Sequence, residues 1–168
     1  MSVNHQGKSS HLLCSCSRVA PVKKVTFPRL ELFGAVLLAE QNNKVLPMLK
    51  VEIHNVHLCT DSTVVLSWIS SLAMRWNKFM ANTVANIQET TNISDWKHVN
   101  TLENPADFIS REVIQGTENL QLWWQAPQWL QQLATSWPSL REVAMIEDIP
   151  EERRKRSLVA TTCAPTTE

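Results

Sequence analysis

Leu58-Cys59-Thr60-Asp61-Ser62-Thr63-Val64-Val65-Leu66-Ser67-Trp68-Ile69 is the stretch from which the fold of this chain is read. A short apolar run, Val56 to Cys59, ends in Thr-Asp-Ser. Apolar residues then return at Val64, Val65, Trp68, Ile69 and Leu72, the three- and four-residue spacing of a helix. The order is strand, carboxylate, helix. Asp61 falls at the carboxyl end of the strand, with Ser62 or Thr63 capping the helix, and α/β sheets place their chemistry at that edge. A Thr-Asp-Ser turn also serves as a plain helix cap, so the other acids have to decide between the two readings.

Upstream, residues 2–10 have the Asn, Gly and Ser content of a turn, and His11 to Val19 alternates loosely enough for a strand. Val25-Thr26-Phe27 is a second short β-like run, stopped by Pro28, a residue suited to the first turn of a helix. Arg29 to about Val45 reads as that helix, with Leu30, Leu32, Phe33, Val36 and Leu37 on more than one face, so it is expected to be heavily buried. Glu31 lies in its first turn, where the helix dipole favours a carboxylate whatever its role. Asn42, Asn43 and Pro47 close the helix.

Downstream of the helix from Ser62 to about Leu72, the residues Trp76, Phe79, Met80, Val84 and Ile87 mark a second amphipathic helix, ending near Glu89. Its Arg75 and Lys78 either face a phosphate backbone or are simply solvated. Ile93 to Val99 reads as a strand with Trp96 and His98 on one face. Asn104-Pro105 then opens a helix and sets Asp107 at its start. Four of the seven tryptophans fall between Trp123 and Trp137, beside Leu and Pro, which favours packing over base stacking. Glu147 to Arg156 is a charge run with the texture of a linker or disordered tail.

Lysine plus arginine balances aspartate plus glutamate at 16 each, so any nucleic-acid binding must be local and not driven by net charge. The four cysteines lack zinc-site spacing and are expected to be reduced, with Cys14 and Cys16 as buried thiols on one strand face. Ser2 to Ser10 lacks the apolar region of a signal peptide, and the longest apolar run, Leu32 to Ala39, is too short to span a bilayer. An intracellular protein, cytoplasmic or nuclear and without a membrane partner, is the expectation.

Glu31, Asp61 and Asp107 thus occupy comparable places: early in a helix, at a strand end, and at a helix start. Carboxylates converging from separate elements are how a protein holds Mg²⁺ or Mn²⁺ against a phosphodiester. The motifs that surround these acids are Ser17-Arg18-Val19-Ala20-Pro21, Pro28-Arg29-Leu30-Glu31-Leu32, Thr60-Asp61-Ser62, Arg75-Trp76 with Val84-Ala85-Asn86-Ile87, Trp96-Lys97-His98-Val99, Asn104-Pro105-Ala106-Asp107 with Ser110-Arg111, and Leu122-Trp123-Trp124 through Trp129-Leu130. In that order, from about residue 11 to about 156, they resemble the ribonuclease-H-like segment of BEL/Pao-type retrotransposon polyproteins.

The resemblance implies an α/β, ribonuclease-H-like mixed sheet over residues 1–116, a Trp-rich helical extension over 117–146, and a charged linker and tail over 147–168. It implies that Glu31, Asp61 and Asp107 correspond to three of the four carboxylates of a two-metal site, and that the parent reaction is hydrolysis of RNA in an RNA–DNA hybrid. The family's first carboxylate lies on a central strand just before the turn on which this chain begins, and residues 1–30 hold no Asp or Glu. The expectation is therefore an incomplete sheet and a fragment without catalysis of its own. Two alternatives stand beside it: a nucleic-acid-binding module using Arg75, Lys78 and Arg111, and an interaction remnant that self-associates through an unpaired sheet edge.

Overall fold

The computed structural model describes residues 10–107, 119–132 and 137 of the chain. Helix α1 (Phe27–Val45) starts where Thr26 takes an extended conformation and Pro28 presets the first turn, and Leu30 N donates to Thr26 O at 3.1 Å. Lys44 complements the dipole at its far end, after which Leu46–Met48 tightens into a single 3₁₀ turn at Pro47. Leu32, Ala35 and Ala39 form the buried stripe. The burial is narrower than the sequence implies, because Leu30, Phe33, Val36 and Leu37 are only half-buried.

Strand β1 (Leu58–Thr60) runs parallel to β2 (Trp96–His98), pairing Leu58 with Trp96, Cys59 with Lys97 and Thr60 with His98. Val99 N extends the ladder to Thr60 O at 3.0 Å. Parallel neighbours need a crossover, and here it is helical. Helix α2 (Thr63–Ser70) buries Val65, Leu66, Trp68 and Ile69 almost completely, as a helix does when it is packed on several sides. Helix α3 (Lys78–Thr90) is capped by Asn77 Oδ1, which accepts from Met80 N at 3.1 Å, and buries Met80, Val84 and Ile87 on one face. These elements close on one core in which Leu32, Leu58, Trp68, Met80, Val84 and Trp96 meet.

The connections are satisfied polar joints. Gln88 Nε2 on α3 donates to Ile69 O at 2.7 Å and Ser71 O at 2.9 Å, covering carbonyls that the end of α2 leaves open. Trp76 Nε1 donates to Ser71 Oγ at 3.0 Å and Trp96 Nε1 to Thr91 Oγ1 at 2.8 Å, so two buried indoles find partners in adjoining turns.

Several sequence expectations need correction. His11–Val19 and Val25–Phe27 form no strand; residues 11–19 are exposed and pair with no ladder, and isolated β segments are not stable without partners. Cys14 and Cys16 are accordingly exposed free thiols and not a buried pair. Residues 93–95 form a 3₁₀ turn, which shortens the second strand to three residues. The segment 10–19 instead lies along α1, tied by an Arg18–Glu40 ion pair at 2.9 Å and by Gln41 Nε2 donating to Cys14 Sγ at 2.8 Å.

The Trp-rich region contains a helix, Asn119–Gln125, and a 3₁₀ turn, Gln128–Gln131. Ser10 Oγ donates to Gln125 O and accepts from Gln131 Nε2, which joins this region to the start of the described chain. Trp137 stacks edge-on against both Trp129 and His57, as expected of packing tryptophans. Arg111 and the charge run from residue 147 lie outside the described residues. No helix among the described residues is long and apolar enough to cross a membrane.

Candidate functional site

Asp61 follows β1 directly, and Ser62 takes the extended conformation of an N-cap, its Oγ accepting from Val65 N at 3.2 Å. The same hydroxyl donates to Glu31 Oε2 at 2.6 Å. One side chain therefore caps α2 and clasps the first turn of α1 to the strand end. It ties Glu31 to the residue that follows Asp61 in the chain. Ser62 N in turn donates to Thr60 Oγ1 at 3.2 Å, which fixes the turn that carries Asp61.

His98 closes the other side. Its Nε2 lies 3.2 Å from Asp61 O, and because a carbonyl only accepts, Nε2 is the donor in this contact. The parallel register explains the approach: His98 is paired with Thr60, so its ring reaches the residue that follows Thr60. His98 was visible in the sequence only as a strand residue, and the clasp through Ser62 left no signal beyond an ordinary cap. Both depend on contacts between residues more than 30 apart.

Asp107 ends a turn that begins at Asn104, its N–H donating to Asn104 O at 3.2 Å. It does not complete a ligand set with the other two acids: among the described residues no group of three His, Cys, Asp or Glu side chains is disposed to hold a metal ion. Glu31 and Asp61 are hard oxygen donors of the type Mg²⁺ and Mn²⁺ prefer, but one Glu31 oxygen is already engaged by Ser62. The described residues do not fit a two-metal centre.

On the opposite flank of the first turn of α1, Arg29 sits over the Phe79 ring with its guanidinium carbon 5.6 Å from the centroid. Phe33 meets Phe79 edge to face at 5.9 Å. Arg75 and Lys78 are exposed beside this cluster in sequence, at the turn before α3 and at its first residue. Behind the strand, burial pushes the Cys59 thiol above its ordinary pKa, partly offset by the Lys97 ammonium, so it is a protonated and weakly nucleophilic group at neutral pH.

A parallel strand pair crossed over by helices, with Glu31 of α1 bound to Ser62 at its carboxyl edge, defines an α/β arrangement. Comparison adds one likeness: residues 1–62 match the model of the Pao retrotransposon-like RNaseH-like domain, a match that covers less than half of the chain. The matched stretch includes Glu31, Asp61 and the Ser62 clasp; Asp107 lies beyond it. No curated protein and no solved structure is significantly similar to the chain.

Proposed function

We propose that this chain is a retrotransposon-derived ribonuclease-H-like segment that holds nucleic acid and does not by itself hydrolyse it. The observation that carries the reading is the disposition of the acids. Glu31 is bound to Ser62, the neighbour of Asp61, and among the described residues Glu31, Asp61 and Asp107 do not form a group that could hold a metal ion. Hydrolysis of a phosphodiester by paired ions needs carboxylates that bind both ions and orient the attacking water. What remains for a phosphate backbone is a pair of exposed cations, Arg75 at the turn before α3 and Lys78 at its first residue.

The test is a labelled RNA–DNA hybrid incubated with the purified chain in millimolar Mg²⁺ or Mn²⁺, together with binding measured as a function of salt. The expected results are no cleavage, no metal-dependent rise in unfolding temperature beyond that of Asp61→Asn, and hybrid binding that weakens steeply with salt. Lys78→Ala and Arg75→Ala should each flatten the salt slope by about one. Cleavage abolished by Asp61→Asn, or absence of binding at low salt, overturns the proposal.

A further inference from the structure

Cys14 and Cys16 are exposed free thiols two residues apart, on a segment that belongs to no helix or strand. Both line a cavity of about 580 Å³ whose walls also include Leu38 and Gln41 of α1 and Cys59 and Trp96 of the strand pair. Gln41 Nε2 donates to Cys14 Sγ at 2.8 Å, so one of the two sulfurs is a docking point between the segment and α1.

The chain between the two thiols permits them to join. Two residues span at most about 7 Å between Cα atoms, and a disulfide needs about 4.4–6.8 Å. A slight bend at Ser15 is therefore enough. No backbone hydrogen bond among the described residues involves residues 11–19, so the bend breaks none. In a paired strand the same bend would cost ladder bonds.

We infer that Cys14 and Cys16 form a dithiol site for exchange with low-molecular-weight disulfides, and that oxidation of the pair undocks the segment from α1 at Gln41. The Cys16 thiolate, whose sulfur is not the one held by Gln41, attacks one sulfur of the small disulfide and expels the other as a thiolate. The Cys14 thiolate then attacks the Cys16 sulfur and expels the second half of the small molecule. Two protein thiols are oxidised to one disulfide, the small disulfide is reduced to two thiols, and the cysteine protons pass through solvent to those products. Closure redirects the Cys14 sulfur to Cys16, and the bond from Gln41 is lost. The docked fold therefore favours the reduced pair.

Cys59 is the internal comparison. It lines the same cavity but is half-buried on β1 and protonated at neutral pH, so it exchanges slowly.

The experiment incubates the full chain with oxidised glutathione, alkylates the remaining thiols, digests with trypsin and weighs the peptides. Cuts after Lys8 and Arg18 place Cys14 and Cys16 together in one peptide, apart from Cys59. That peptide should become two hydrogens lighter, at a rate on the order of tenfold above any modification of Cys59. Cys14→Ser and Cys16→Ser should each stop at the mixed disulfide with glutathione. The glutathione redox ratio at which half of the pair is oxidised is then compared between the folded chain and the chain unfolded in urea. The folded chain should require a ratio more oxidising on the order of fivefold, the worth of one hydrogen bond, and Gln41→Leu should remove that difference. A mixed disulfide as the end product of the wild type, an equal rate at Cys59, the same midpoint folded and unfolded, or a difference that survives Gln41→Leu overturns the inference.

Discussion

At the scale of single residues, Ser62 concentrates more consequence than either acid it serves. It is buried, caps α2 through Val65 N and holds Glu31 at 2.6 Å. Ser62→Ala should cost about 1–2 kcal/mol in urea unfolding, the value of a lost N-cap in a buried setting. Glu31→Ala should cost less, because Glu31 is exposed and water replaces the lost acceptor. Equal losses for the two variants would show that the clasp, not the cap, stabilises the fold. Cys59 supplies a pH prediction with a definite sign. Its folded pKa is raised, by burial first, so the folded state holds the proton more tightly than the unfolded chain does. No effect is expected below the unfolded thiol's value of about 8.5, and stability should fall as pH rises from there towards the folded value. Cys59→Ala should lose less stability than wild type between pH 7 and pH 10 in thermal melts. The places of Glu31 and Asp61 were legible in the sequence because helix starts and strand ends have local signatures; the hydroxyl that ties Glu31 to the strand end was not, since a cap looks the same whether or not a distant carboxylate binds it.

At the scale of elements, the helices were readable and both observed strands fall where strands were expected, but two further β-like patterns formed none. α2 and α3 follow from apolar spacing, α2 with Ser62 as an expected cap, and the observed bounds fall within a few residues of the expected ones. Local periodicity is enough for a helix, whose hydrogen bonds are internal. A strand needs a neighbour, and His11–Val19 shows what happens to a β-like pattern that finds none: its residues stay exposed along α1. β1 and β2 form because each has the other, and Trp96 and Leu58 bury the paired face. The joint between α2 and α3 is likewise non-local. Gln88 satisfies two carbonyls at the end of α2 from a position 17 to 19 residues away. Gln88→Met keeps the shape of the side chain and removes both bonds, so it should cost about 1–3 kcal/mol in urea unfolding. A change within experimental error would mean that water reaches those carbonyls and that the packing of α2 on α3 alone fixes the turn.

At the scale of the whole molecule, the core and the segment before it differ in how they are held. Residues from Leu32 to Trp96 contribute to one apolar cluster built by α1, α2, α3, β1 and β2, so these elements should unfold together. Residues 10–26 have no regular structure and are tied to α1 chiefly by an ion pair whose Arg18 is largely exposed, a type of contact worth little in water. Openings that do not disturb the core should therefore be confined to this segment and to comparable exposed loops. Lys23 and Lys24 lie there, exposed, and Lys50 lies in a similar stretch before β1, whereas Lys97 sits within the paired strand. Brief trypsin treatment should cut after Lys23, Lys24 and Lys50 well before Lys97, as read by mass spectrometry of the fragments. Because the cut at Lys24 falls before the first turn of α1, the product beginning at Val25 should keep the helical dichroism and a cooperative melt. If cleavage at Lys24 abolishes that melt, the segment is part of the folding unit after all, and the contacts of Arg18 and Cys14 with α1 carry more of the fold than their exposure allows.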